Sequence, residues 1–417
     1  MLTDSARFLA LRLTIEATPV NKGMPCDPID SRSPTLMARK ATPPADDAPD
    51  LDPAWRDRIR ARLVDWYEGA RRPLPWRDDR DPYRILVSET MLVQTTVTAV
   101  VPYFERFLAR FPTVRDLAES DESDVVKAWE GLGYYRRARQ LHAAAKAIVR
   151  DHGGAVPDDH DALLALPGVG RYIAGAVLSF AFSRPAPIVE ANTQRVLARW
   201  LAWRDDIRTT RSQSRLWEAA ARLVPNDDPA TFNQAFMELG ALVCIPRQPL
   251  CLTCPVSSDC RARHLGIQDK LPTTTPKPPP LEVSEACVVV LHEGRVLVVK
   301  RGPGVLWEGF WEFPTLHLSG PDPARRVFDP PVALAEAVRR LTGVSTSVAP
   351  TVTTFRYGVT KHRVTLAVHL GRFLSGQPNP GPGMVDAAWR TIEGLNDLTM
   401  GSATRRVVAW LTTMGEE

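Results

Sequence analysis

The chain has 417 residues, of which 44% are hydrophobic and 24% charged, with a formal net charge of +4. That balance excludes a disordered or collagen-like chain, and the length suits two globular domains with separate cores. The mild positive charge is compatible with nucleic acid without identifying it. No apolar run approaches the roughly 20 residues that cross a bilayer. The short stretch Phe8–Ile15 is broken by Arg12 and no small-residue cleavage site follows it. A soluble, cytoplasmic protein, monomeric and not bound to a membrane, is therefore expected.

Residues 1–52 are rich in Pro, Ala, Thr and Asp and lack a sustained apolar period, which predicts a disordered extension. Met24 and Met37 could serve as later translation starts. From residue 53 the texture changes. Trp55, Ile59, Leu63 and Trp66 recur at helical spacing. Helical patterns then succeed one another to residue 266: Ser88–Arg110, Ser123–Trp129, Arg136–Arg150, Asp161–Leu166, Tyr172–Phe182, Thr193–Leu201, Ser212–Leu223 and Pro229–Leu242. Residues 53–266 should form an all-α domain. Residues 267–283 contain TTTPKPPP, a semi-rigid spacer. Beyond it come short β-type runs at Ala286–Leu291, Arg295–Lys300, Thr351–Tyr357 and His362–Leu370. Helical stretches at Pro331–Leu341 and Ala403–Leu411 accompany them, so residues 284–417 should form an α+β domain.

Four of the six cysteines are spaced Cys244-x6-Cys251-x2-Cys254-x5-Cys260. Four thiolates this close can close a tetrahedral zinc site or hold a four-iron cluster, and sulfur softness does not choose between them. Cys26 and Cys287 read as free thiols. Arg247, Arg261 and Arg263 border the foursome, where they can reach DNA phosphates. Upstream, Leu163–Tyr172 joins two helical patterns through L-P-G-V-G, Leu166 to Gly170. Gly168 and Gly170 are expected to turn with positive φ. The exposed N–H groups of the following helix can then bind a phosphate. A lone G-x-G between helices is equally a plain turn.

Taken in order, LPWRDDRDPY (74–83), SETMLVQT (88–95), VPYFERFLARFPTV (101–114), GLGYYRRARQLH (131–142), LPGVGRYIAGAVLS (166–179), NTQRVLAR (192–199) and FNQAFMELGALVC (232–244) resemble a MutY-type adenine DNA glycosylase of the endonuclease III, or helix–hairpin–helix, superfamily. The resemblance covers residues 53–265 and continues more weakly to the end. It implies a [4Fe-4S] cluster on the four cysteines, double-stranded DNA with an adenine mismatch as partner, and base excision of adenine opposite 8-oxoguanine or guanine. Cleaving an N-glycosidic bond needs an acid for the purine and a carboxylate for the oxocarbenium-like sugar, as in glycoside hydrolysis. Glu89 matches the family's acid, and it is expected to open an apolar helix with its pKa raised by burial.

Glu190 stands where the family has Asp, one methylene longer, at a position where about 1 Å of misplacement can cost roughly a hundredfold in rate. Tyr172 occupies the position at which bifunctional relatives carry a Schiff-base lysine, which predicts base removal without efficient strand cleavage. Gln94, with Thr95 beside it, matches the residue that fills the gap left by the extruded base. Trp76 and Arg77 match the pocket edge, and Asn192 belongs to the same site. GVLWEGFWEFP (304–314) resembles the Nudix-like domain that recognises oxidised guanine. The metal-binding helix of true Nudix hydrolases is reduced to Glu336 in Ala335–Gly343, which is too few oxygen ligands for Mg²⁺. The lesion-sensing loop aligns with Val359–His362, where Thr360 keeps a hydroxyl. Three other readings compete: an endonuclease III-like enzyme for damaged pyrimidines, a lesion-binding homologue weakened by Glu190, and a Nudix hydrolase.

Overall fold

The computed structural model describes residues 51–77, 79–276, 278–319 and 334–414. The expected disorder of the N-terminal extension, with Cys26, falls almost entirely outside the described residues. Helices run α1 Pro53–Ala70, α2 Pro82–Leu92, α3 Val97–Arg110, α4 Val114–Glu119, α5 Glu122–Ala128, α6 Arg136–His152, α7 His160–Ala165, α8 Arg171–Phe180, α9 Ala191–Trp200, α10 Thr210–Leu223, α11 Pro229–Leu242 and α12 Arg261–His264. No helix among the described residues is long and apolar enough to cross a membrane.

The helices form two lobes. One core gathers α2–α8 around Leu86, Phe104, Phe107, Trp129 and Ile148. The other packs α1 against α9–α11 around Leu63, Trp200, Phe232 and Phe236, and takes in Val256 and Cys260 of the cysteine segment. The single helix expected over 88–110 is two. Asp81 caps α2 by accepting from Tyr83 N at 2.8 Å, and Pro82 opens it. Both are strong helix-start signals. The helix stops at Leu92, and α3 starts after the turn that carries Gln94.

The remainder is a mixed sheet. Its strands are β1 Leu281–His292, β2 Arg295–Arg301, β3 Trp311–Glu312, β4 Thr315–Ser319, β5 Val344–Val359, β6 His362–Gly376 and β7 Met384–Thr391. The main path is β3-β2-β1-β6-β5, with β4 on β1 and β7 on β2. Only β1 and β6 pair in parallel among the described strands. Helices α13 Leu334–Thr342 and α14 Ser402–Met414 cover its faces. Strands β3, β4 and β7 carry no clear alternation and were not expected from the sequence.

The sheet domain is held against the helical one at the segment after α5. Arg405 Nε donates to Glu130 Oε1 at 2.5 Å, and Lys127 Nζ donates to Glu130 and to the carbonyls of Asn396 and Leu398. Tyr135 packs edge-on to Phe310 with ring centroids 4.6 Å apart, and Arg139 donates to the Glu308 carbonyl at 2.6 Å.

Inside the helical part, α8 lies against the strand-like segment before α9 so closely that only glycine fits at position 175. A Cβ there would stand 2.2 Å from the Pro187 carbonyl oxygen. Alanine normally stabilises a helix interior relative to glycine. Here Gly175→Ala is expected to cost about 1–3 kcal/mol through overpacking. Urea unfolding of the two proteins measures this, and a variant as stable as the parent would contradict the close approach.

Candidate active site

The two carboxylates singled out in the sequence come from different lobes. Glu89 lies in the last turn of α2, not at its start as the sequence pattern suggested, because the helix begins at Pro82. It is 2% exposed. The C-terminal end of a helix repels an anion, and burial penalises the charged form. Burial pushes the carboxyl up to about 7; the Tyr172 hydrogen bond and Arg77 pull it down, and Glu190 pushes it further up. Tyr172 Oη, from the first turn of α8, donates to Glu89 Oε2 at 2.5 Å and lies 3.9 Å from Met237 Sδ on α11. The phenol is raised well above its ordinary value by burial and by both carboxylates.

Glu190 is the N-cap of α9. Its Oε2 accepts from Asn192 N at 2.8 Å and its Oε1 from Thr193 N at 2.9 Å, while Thr193 Oγ1 accepts from Glu190 N at 2.8 Å. The additional methylene is thus absorbed by folding the side chain back over its own helix. Glutamate is an uncommon cap; shorter side chains usually fill this place. Burial raises its carboxyl, against the two backbone donors and Arg195. Asn192 is tied to the same helix, its Oδ1 accepting from Arg195 Nη2 at 2.8 Å. Arg195 also donates to the carbonyls of Cys244 and Gly240 at 2.7 Å each.

Trp76 does not line an open edge: it is 7% exposed and packs edge-on to Phe104, 5.2 Å between centroids. Arg77 forms a two-pronged pair with buried Glu238, at 3.0 and 2.6 Å, and Arg72 shares that carboxylate. Burial works against Glu238, yet the two arginines hold it down to about 2. Glu238 was not recognised from sequence, although it lies in the 232–244 stretch.

Gln94 has φ +61 and is exposed, and Thr95 Oγ1 accepts from Arg137 Nη2 at 3.0 Å. Arg137 was not predicted, and Tyr134 is 57% exposed with φ +49. Neither backbone conformation nor exposure of these two is visible in residue type.

In the hairpin, Gly168 has φ +78 and a Cβ there would meet Gln140 Cβ at 2.6 Å. Gly170 does not need positive φ; it caps α8 at φ −96. Leu166 is buried and caps α7, so it supports the hairpin from the core. Thr360, φ +51 and exposed, sits with Lys361 at the tip of the β5–β6 hairpin. The four cysteines line one small cavity with Arg199 and Trp200. Cys287 is buried in the sheet core as a free thiol.

The site has a measurable electrostatic consequence. Below pH 4.5 Glu89 is protonated in folded and unfolded chain alike. Between 4.5 and about 7 only the unfolded chain ionises, so its contribution to stability is lost as pH rises through that window. The expected loss is on the order of 3 kcal/mol. Glu89→Gln should remove it, as measured by urea unfolding at pH 5 and pH 8. An unchanged pH slope in the variant would mean that Glu89 is ionised in the fold.

The HhH-GPD superfamily base excision DNA repair protein family matches residues 87–222, and the NUDIX domain family matches residues 286–410. The adenine DNA glycosylase of Rattus norvegicus is 37% identical over 312 residues, covering 62% of this chain and 60% of that protein. That of Buchnera aphidicola subsp. Schizaphis graminum is 33% identical over 253 residues, covering 60% of this chain and 73% of that protein. A solved thermostable thymine-DNA glycosylase is 32% identical with a TM-score of 0.48, covering 52% of this chain and 100% of that one. The chain spans 60% of the length of the rat relative and 57% of the human one. On the extent of the Buchnera match, 33% identical over 73% of that protein, the chain belongs to the adenine DNA glycosylase family.

Proposed function

We propose that the protein is a monofunctional adenine DNA glycosylase of base excision repair, hydrolysing the N-glycosidic bond of adenine opposite 8-oxoguanine or guanine in double-stranded DNA. One observation carries the reading: Glu89, buried, near-neutral in pKa and held by Tyr172, stands within electrostatic reach of Glu190 on the other lobe. Glu89 in its protonated form donates to N7 of the extruded adenine. The bonding pair leaves with the base, and positive charge develops on the sugar. Glu190, held in place by two backbone N–H groups, stabilises that charge. Its proximity also helps Glu89 keep its proton, the division of labour expected of two carboxyls in unlike surroundings. Water then adds to the sugar carbon and loses a proton. A phenol at position 172 cannot form a Schiff base, which favours base removal alone.

The DNA contacts follow from the same frame. The Gly168 turn and the free N–H groups at the start of α8 suit a phosphate. Gln94, exposed on its turn, suits the gap left by the flipped base. Arg77, Asn192 and Thr95 act through the side chains they hold, and Trp76 by packing. Thr360 presents a hydroxyl for the oxidised base. The sheet domain is a recognition module; Glu336, on its helix, is half-buried and paired with Arg339 at 2.6 Å, and among the described residues no set of oxygens is grouped for a metal.

The cysteine cavity suits a [4Fe-4S] cluster. Arg199 Nη1 donates to Cys244 Sγ at 3.2 Å. Burial raises the thiol of Cys254 to about 12, and backbone donors from Val256 and from Ala262 and Arg263 act in the opposite sense on Cys254 and Cys260. Such donors suit thiolates bound to iron. Among the described residues no three His, Cys, Asp or Glu side chains are grouped as one metal ion would need, while the four cysteines do surround one cavity. The cluster would supply charge to hold the thiolates and brace the loop.

Single-turnover adenine release from duplexes with adenine opposite 8-oxoguanine, guanine and thymine tests the activity. Release is expected from the first two only, and Glu89→Gln or Glu190→Gln should lower it at least about a hundredfold. Tight binding of the 8-oxoguanine duplex with no release by the parent would make this a lesion-binding protein. Metal analysis of the purified chain should find four irons and four sulfides rather than one zinc, with Cys254→Ser lowering both.

A further inference from the structure

The segment from Trp129 to Arg139 takes no part in the chemistry above, yet one of its side chains joins two separate turns. Arg137 Nη1 donates to the carbonyls of Thr90 (3.0 Å), Met91 (2.8 Å) and Val93 (2.5 Å). Its Nη2 donates to Thr95 Oγ1 (3.0 Å) and to the Gly133 carbonyl (3.3 Å). The same guanidinium lies over the rings of Trp129 and Tyr134, 5.5 and 5.3 Å from their centroids. The last carbonyls of a helix have no partner within it. α2 has no glycine cap; it runs straight into Val93 and left-handed Gln94. A cation at this negative helix end meets the unpaired carbonyls directly.

We propose that Arg137 is a positioning residue for base extrusion: it locks the two left-handed turns that present Gln94 and Tyr134 to the DNA stack. The inference rests on the glycosylase reading above. Both residues adopt a backbone conformation unfavourable to side chains with a Cβ, and both are exposed. Left to themselves the turns would relax. A group that must enter a base stack works best when its geometry is set before contact. Arg137 spends its charge on the turns and the rings, so it is not available to a phosphate. Lysine could not replace it, because a point charge cannot span both turns or lie flat on two rings. The back of the second turn is also fixed, through Tyr135 on Phe310 and Glu130 on Arg405.

The test uses the full chain and 2-aminopurine at the target position in two duplexes. One is paired except at the mismatch, and the other carries the target in a short unpaired bubble. At saturating protein, Arg137→Lys is expected to lower the fluorescence rise on the paired duplex about tenfold, the loss of charge-assisted hydrogen bonds. The bubble duplex needs no extrusion and should change by less than about twofold. Thr95→Val, which removes one acceptor and leaves the guanidinium in place, should shift the paired duplex in the same direction by about two- to threefold. Equal losses on both duplexes would reduce Arg137 to a general structural residue and overturn the proposal, as would no loss on the paired one. Fluorescence reports unstacking without bond cleavage. A parent protein that opens the duplex but releases no adenine therefore sinks the glycosylase reading alone, and the Arg137 comparison still decides the proposal.

Discussion

A carboxyl group in a protein interior resists ionisation, and the organisation of the helical domain follows from where that group sits. Glu89 is buried at the end of α2, facing helix carbonyls on its own element and Tyr172 on the next. Under the proposed function its proton is the one a departing purine requires. Keeping it demands exclusion of water, which two packed lobes supply, and restraint of nearby cations. Arg77 is a cation that acts on this carboxyl, and its guanidinium is engaged by Glu238. Arg77 pulls the Glu89 carboxyl down only against the larger effect of burial, and its own guanidinium is paired with Glu238.

The opposite carboxylate has the reverse surroundings. Glu190 sits at a helix start, with two backbone donors aimed at its oxygens. The helix that bears it is anchored by buried Arg195 and Arg199, which bond the carbonyls of Gly240, Cys244, Ile245 and Pro246. Buried guanidinium groups are tolerable only when their donors are satisfied, and here carbonyls in the last turn of α11 and just after it satisfy them. The close approach of α8 to the Pro187 carbonyl lays the helix that carries Tyr172 against the segment that leads into Glu190. The substitution of Glu for Asp is accommodated locally, by the side chain doubling back as a cap.

The sheet domain contributes through contact with the helical one. Its contacts converge on the segment that follows α5, where a carboxylate, an aromatic ring and an arginine each meet a partner from the sheet domain. That segment also carries Tyr134 and Arg137. The turn that carries Tyr134 and Arg137 is therefore braced from the sheet domain as well as from the helical one.

Much of the molecule is legible in its residues. Apolar spacing and the proline run separate a helical part from a sheet part. The ordered motifs identify the family, and the identity of residues 89, 172 and 190 sets out the candidate chemistry. Those features are local or depend only on residue type. What the sequence left open depends on distance across the chain. That α2 begins at Pro82, and that Gly170 does not need the conformation only glycine likes, are questions of backbone geometry. That Glu238 restrains Arg77, that Trp76 belongs to the core, and that Arg137 holds Gln94 and Tyr134 are questions of which groups meet. The sequence alone determined the fold class and the functional groups present. Only the tertiary structure decided their protonation, pairing and exposure, because these depend on solvent exclusion and on partners brought from far along the chain.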